Sequence, residues 1–110
     1  MFLIKAKKSN VTQEVYKDIV DSYLSYVSEK KGNLSGYHIV ELLRYSLCKY
    51  MELETKGSSE NVEKYSDECI NHLKPVFNKH SILDKSVDYK KGILEACIHC
   101  IEMSRKRAGV

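Results

Sequence analysis

The sequence has no tryptophan, one proline, five glycines and two phenylalanines in 110 residues. So little glycine and proline excludes collagen-like and low-complexity chains. A composition of 43% apolar and 30% charged residues excludes a strongly disordered one. No apolar run approaches the roughly 18 residues needed to cross a bilayer, so no membrane partner is expected. The N-terminus, Met1-Phe2-Leu3-Ile4-Lys5-Ala6-Lys7-Lys8, places its apolar residues ahead of its charges. A secretory leader has the opposite order and an apolar run of roughly 7–15 residues. The expected location is therefore cytoplasmic. There the four cysteines (Cys48, Cys69, Cys97 and Cys100) are free thiols or metal ligands. The chain also lacks a Gly-x-Ser-x-Gly elbow, a P-loop and a Gly-x-Gly-x-x-Gly turn, the backbone devices that hold a nucleophile or a phosphate. No enzyme is expected.

Four amphipathic stretches fill residues 12–105. The length suits one helical domain over residues 1–110. The first stretch, about 12–31, carries Val15, Tyr16, Ile19, Val20, Tyr23, Leu24, Tyr26 and Val27, apolar positions three and four apart that share one helix face. Gly32 follows as a stop. The second, about 35–56 before Gly57, is the most apolar. Only Glu41, Arg44, Lys49 and Glu52 mark a polar strip, so it needs cover on several sides, from the fold or from another subunit. The third begins after Ser58-Ser59 and shows Val62, Tyr65, Cys69, Ile70 and Leu73. Pro75 should end or kink it near Lys74, with Val76 and Phe77 packing from a short continuation. The fourth starts between Ser81 and Ser86 and runs to about Arg105 on a stripe of Val87, Leu94, Cys97, Ile98 and Ile101. The expected fold is all-α, a four-helix bundle of up-and-down type or a close variant. The alternation over residues 2–7 leaves room for a short N-terminal strand, which would need a partner edge.

The chemistry-bearing pattern is Cys69-Ile-Asn-His72 followed by Cys97-Ile-His-Cys100. Zinc takes four tetrahedral ligands of these types. The two pairs converge if the third and fourth helices are antiparallel neighbours. Against a zinc site, both pairs fall inside helical patterns, and Cys97 lies on an apolar stripe where a small core residue is expected. A redox role for Cys97 and Cys100 is disfavoured by their place near the C-terminal end of a helix, where the dipole opposes a thiolate. Glu68 with His72 and Glu95 with His99 stand four apart, one residue too far for bundle di-iron ligation. They read as surface pairs.

Net charge is +3, divided as +2 over residues 1–31, −1 over 32–83 and +2 over 84–110. That permits nucleic-acid binding without indicating it. A short strand, a helix, a glycine-containing turn and a second apolar helix over residues 2–54 form an order similar to that of ribbon-helix-helix repressors. The resemblance implies a paired strand entering the DNA groove, with Lys5, Lys7 and Lys8 facing it. The first helix is longer than that family's. Eight tyrosines offer large rings with polar tips. Tyr16, Tyr23, Tyr26, Tyr37, Tyr45 and Tyr50 are the candidate partner-binding residues. The expected function is protein–protein binding, as a regulator, an inhibitor or a small subunit, with another protein or a second copy as partner. DNA binding and a structural zinc site are the alternatives. No cofactor is expected outside the zinc reading.

Overall fold

A computed structural model describes residues 13–30, 36–55 and 60–107. Side chains are described for these residues except at positions 36, 37, 60, 61 and 105–107. Among them are four α-helices: α1 (Gln13–Glu29), α2 (Gly36–Met51), α3 (Glu60–His80) and α4 (Val87–Arg107). A short 3₁₀ turn, Ile82–Asp84, joins the last two. The fold is an all-α helical bundle. The N-terminal strand and Lys5, Lys7 and Lys8 lie outside the described residues.

The helices form where the apolar spacing places them. In α1, Val15, Ile19, Val20, Tyr23 and Tyr26 are buried, a stripe three to four residues apart. In α3 the stripe is Val62, Cys69, Leu73 and Phe77, with Ser66 filling one position. In α4 it is Ile93, Cys97, Ile98 and Ile101. Val87, expected on that stripe, is exposed, and Ile93 takes the core position instead. One continuous core cluster draws on all four helices and on Ile82.

Two helix ends differ from expectation. Helix α2 stops at Met51 rather than near Lys56. Leu53 N–H donates to the Cys48 carbonyl at 2.8 Å and Glu52 N–H to the Lys49 carbonyl at 3.3 Å. Both bonds satisfy end carbonyls in the pattern of a Schellman cap. The left-handed residue of that cap is Glu52, at φ 58°, not a glycine. Leu53 packs partly against the core, which fastens the turn. Helix α3, in contrast, continues through Pro75 to His80. Pro75 is exposed and Phe77 is buried beyond it. The hydrogen bond lost at Pro75 therefore faces water, and the Phe77 side chain holds the last turn against the core.

Pairing is less simple than chain order suggests. Extensive contact joins α3 to both α1 and α2, and α4 to both α1 and α2. The consecutive pairs α1/α2 and α3/α4 meet only weakly. Around the bundle the order is therefore α1, α3, α2, α4, with α1 diagonal to α2 and α3 diagonal to α4. Helix α1 runs antiparallel to α3: Asp18 meets Lys79 and His80, Ser22 meets the His72 carbonyl, and Tyr26 meets Glu68.

Of the two kinds of cover expected for α2, the fold itself supplies one over the described residues. Leu42, Leu43, Leu47, Cys48 and Met51 are buried. Ile39, Val40, Tyr45 and Tyr50 are half-buried and packed on the core. Of the described α2 side chains only Arg44 and Lys49 are exposed. Helices α3 and α4 flank α2 on both sides and supply the cover.

Candidate functional site

The six tyrosines separate into distinct roles. Tyr23 and Tyr26 are enclosed in the core. Tyr23 Oη donates to the Ile39 carbonyl, and Tyr26 Oη donates to Glu68 Oε1 at 3.0 Å. Burial pushes both phenols above their usual range, and for Tyr26 the neighbouring Glu68 carboxylate adds to it. Neither ring offers a surface to a partner in this fold, because each hydroxyl and ring is spent inside it. Tyr50 is half-buried with its ring 4.5 Å from that of Phe77. Tyr45 is half-buried on α2, and the side chain of Tyr37 lies outside the described residues. Tyr16 is half-buried and lines a pocket.

Two polar clusters tie α1 to α3. In one, Lys30 Nζ lies 3.0 Å from Glu68 Oε1 and 5.9 Å and 6.0 Å from the ring centroids of Tyr26 and Tyr65. Hydrogen bonds from Lys30 and then Tyr26 hold the Glu68 carboxyl below its ordinary range. The His72 ring sits 4.8 Å from that of Tyr26, so His72 packs there and Glu68 pairs with Lys30. In the other cluster, Asp18 Oδ2 meets His80 Nε2 at 2.8 Å and Lys79 Nζ at 3.2 Å. These two partners, His80 first, hold the Asp18 carboxyl low. Both clusters read as clamps between helices, since every charged member faces a partner across the α1/α3 seam. A third pair, Lys49 with Asp67 at 3.0 Å, links α2 to α3.

The cysteine–histidine set does not gather. Cys69, on α3, is buried, and burial pushes its thiol up to about 11 despite a nearby Ser46 hydroxyl. His72 is exposed on the same helix. Cys97, on α4, is buried with its sulfur 3.9 Å from the Tyr16 carbonyl, and burial raises its thiol further. Cys100 is half-buried. The two pairs stand on helices across a diagonal, whereas zinc ligation needs them side by side. Among the described residues no group of three or more His, Cys, Asp and Glu side chains is placed to hold a metal ion. Nor is any described helix long and apolar enough to cross a membrane.

Two surface features remain. The first is a shallow pocket of about 280 Å³ between α1 and α4, lined by Tyr16, Ala96, His99, Cys100, Met103 and Ser104. The second is the corner where α3 hands over to α4. Ser81 turns the chain at φ 52°, and Ile82 is buried as an anchor. Backbone bonds Asp84 N–H to the Ser81 carbonyl (3.2 Å) and Lys85 N–H to the Ile82 carbonyl (3.0 Å) close the turn. Ser86 Oγ then accepts from Tyr89 N–H at 3.1 Å and caps α4. On this fastened turn Leu83 is 41% exposed and Val87 55% exposed. Sequence reading missed the corner because Val87 fits an apolar stripe and Leu83 lies in a connection. The signal available was the cluster Ser81, Asp84 and Ser86, which marks a structured turn.

Compared with known proteins, the chain matches no family model, no curated protein and no solved structure.

Proposed function

We propose that this chain is a small, non-catalytic protein that works by binding another protein, as a regulator, an inhibitor or a small subunit of a complex. The observation that carries the reading is the α3–α4 corner, where Leu83 and Val87 project from a turn closed by its own backbone bonds and anchored by Ile82. Apolar side chains already held in place lose little freedom on docking, so more of the burial energy appears as affinity. Asp84, Lys85 and Asp88 are exposed beside them and form the kind of polar rim that surrounds an apolar contact. The matching surface on the partner is an apolar groove with polar edges. The reading places the protein in the cytoplasm, where buried free thiols such as Cys48, Cys69 and Cys97 persist.

The test is affinity capture from native extract with the wild-type chain and the double variant Leu83→Ser, Val87→Ser. One protein, retained by the wild type and lost from a double variant with an unchanged melting curve, is the expected result. Sedimentation of both chains covers the case in which the partner is a second copy. Identical capture and identical sedimentation for the two chains would remove the corner as the docking surface.

A further inference from the structure

The pocket between α1 and α4 holds a set of donors that the corner does not involve. Three of its six lining residues are His99, Cys100 and Met103. On a helix, residues three and four apart have Cβ atoms about 5–6 Å from each other. Met103 stands three residues from Cys100 and four from His99, and so lies between these two sequence neighbours on the helix face, and all three line the same small space. No carboxylate lines it. The walls are Tyr16 from α1 and Ala96 one turn earlier on α4. Cys97 does not line the pocket; it is buried against the Tyr16 carbonyl.

We propose that this pocket binds a Cu(I) ion through Cys100 Sγ, Met103 Sδ and a ring nitrogen of His99. The donor set selects the metal. Thiolate and thioether ligands are soft and favour Cu(I), whereas calcium and magnesium require oxygen donors. Zinc takes four ligands from cysteine, histidine and carboxylate, and a single cysteine with a single histidine falls two short of that. The coordination step balances without a redox partner: the S–H bond of Cys100 breaks, its proton goes to solvent, and the S–Cu bond forms with copper remaining Cu(I). Exposed His99 and Met103 adjust to the ion by side-chain rotation alone, so loading leaves the core stripe of α4 in place. This inference stands apart from the corner and its partner.

The experiment is an anaerobic titration of the reduced full-length chain with Cu(I) against a colorimetric Cu(I) chelator, repeated with Zn(II) and a zinc indicator. The wild type is expected to withdraw one equivalent of Cu(I) and no zinc. X-ray absorption of the loaded protein is expected to show two sulfur neighbours and one nitrogen. Met103→Leu and Cys100→Ser should each weaken the uptake by at least about tenfold, the scale on which even outer-shell changes act on metal affinity. Thermal melts of both variants establish that they fold. The proposal falls if no copper is withdrawn or if zinc binds as tightly. It falls equally if neither substitution changes the uptake, which would put the metal on other thiols. Loss on Cys100→Ser with no change on Met103→Leu reduces the site to one thiol and overturns it as well.

Discussion

Helices α2 and α4 reverse the roles their compositions suggest. Helix α2 is the most apolar stretch, yet its exposed described side chains are Arg44 and Lys49. Helix α4 is more polar, yet it exposes Val87 and Met103 and supplies five of the six residues around the pocket. The two helices also differ in the length of their neighbours. Helix α2 lies between α3 and α4, both of 21 residues. At 1.5 Å per residue those helices reach about 31 Å, against about 24 Å for the 16 residues of α2. Helix α2 is covered along its described length, whereas α1, of 17 residues between the same two helices, leaves Leu24 38% exposed. Helix α4 packs against α1 and α2, of 17 and 16 residues, and Val87 and Met103 lie towards its two ends. Exposed apolar side chains are therefore not confined to the helix whose sequence is most apolar.

The largest expected effect separates the two helices directly. Leu43→Ala in α2 removes a fully buried side chain and should cost about 2–5 kcal/mol, the usual range for a core leucine. Met103→Ala in α4 should stay within about 0.5 kcal/mol, as for a surface position. Denaturant midpoints measure both, and comparable losses at the two sites would break the comparison. A smaller effect of opposite sign is expected where α2 ends. Glu52 holds φ 58°, which costs a side chain with a Cβ and costs glycine little. Glu52→Gly should raise stability by up to about 1 kcal/mol. A loss instead would mean that the Glu52 side chain itself secures the cap.

The smallest effect concerns the clamps of α1 to α3, which lie outside the α2/α4 contrast and serve as its reference. Asp18 and Glu68 have folded-state pKa values below their ordinary 3.8 and 4.5. A depressed carboxyl stabilises the fold above its unfolded pKa and loses that contribution as pH falls through its folded value. The denaturant midpoint should therefore decline below about pH 5. Asp18→Asn and Glu68→Gln should each flatten that decline, while leaving it unchanged would assign acid sensitivity elsewhere. The carboxylates are partly exposed, so the amplitude is modest.

Much of the fold was legible in the sequence. Periodic spacing located four helices. What spacing misjudged was governed by distant contacts. Pro75 stays helical because it faces water while Phe77, two residues on, is held by the core. Helix α2 ends early because Leu53 folds back onto that core. Tyr23 and Tyr26 carry the residue type of an interface, but their hydroxyls find Ile39 and Glu68 inside the same chain. Of the candidate sites, Tyr16 and Cys100 do meet, in the α1/α4 pocket, although they were singled out for separate roles. Leu83 and Val87 carried no mark of exposure, since an isolated apolar residue reads the same on a stripe or at a corner.

The sequence by itself determined that the chain is helical and which face of most helices turns inward. Both follow from side chains three and four residues apart, so a local window contains the information. Only the tertiary structure decided that α3 and α4 stand across a diagonal. That separates the two cysteine–histidine pairs, covers α2 from both sides and opens the pocket against α1. Those outcomes depend on which surfaces fit together across separations of 18 to 81 residues, and shape complementarity of that kind is not written in any local period.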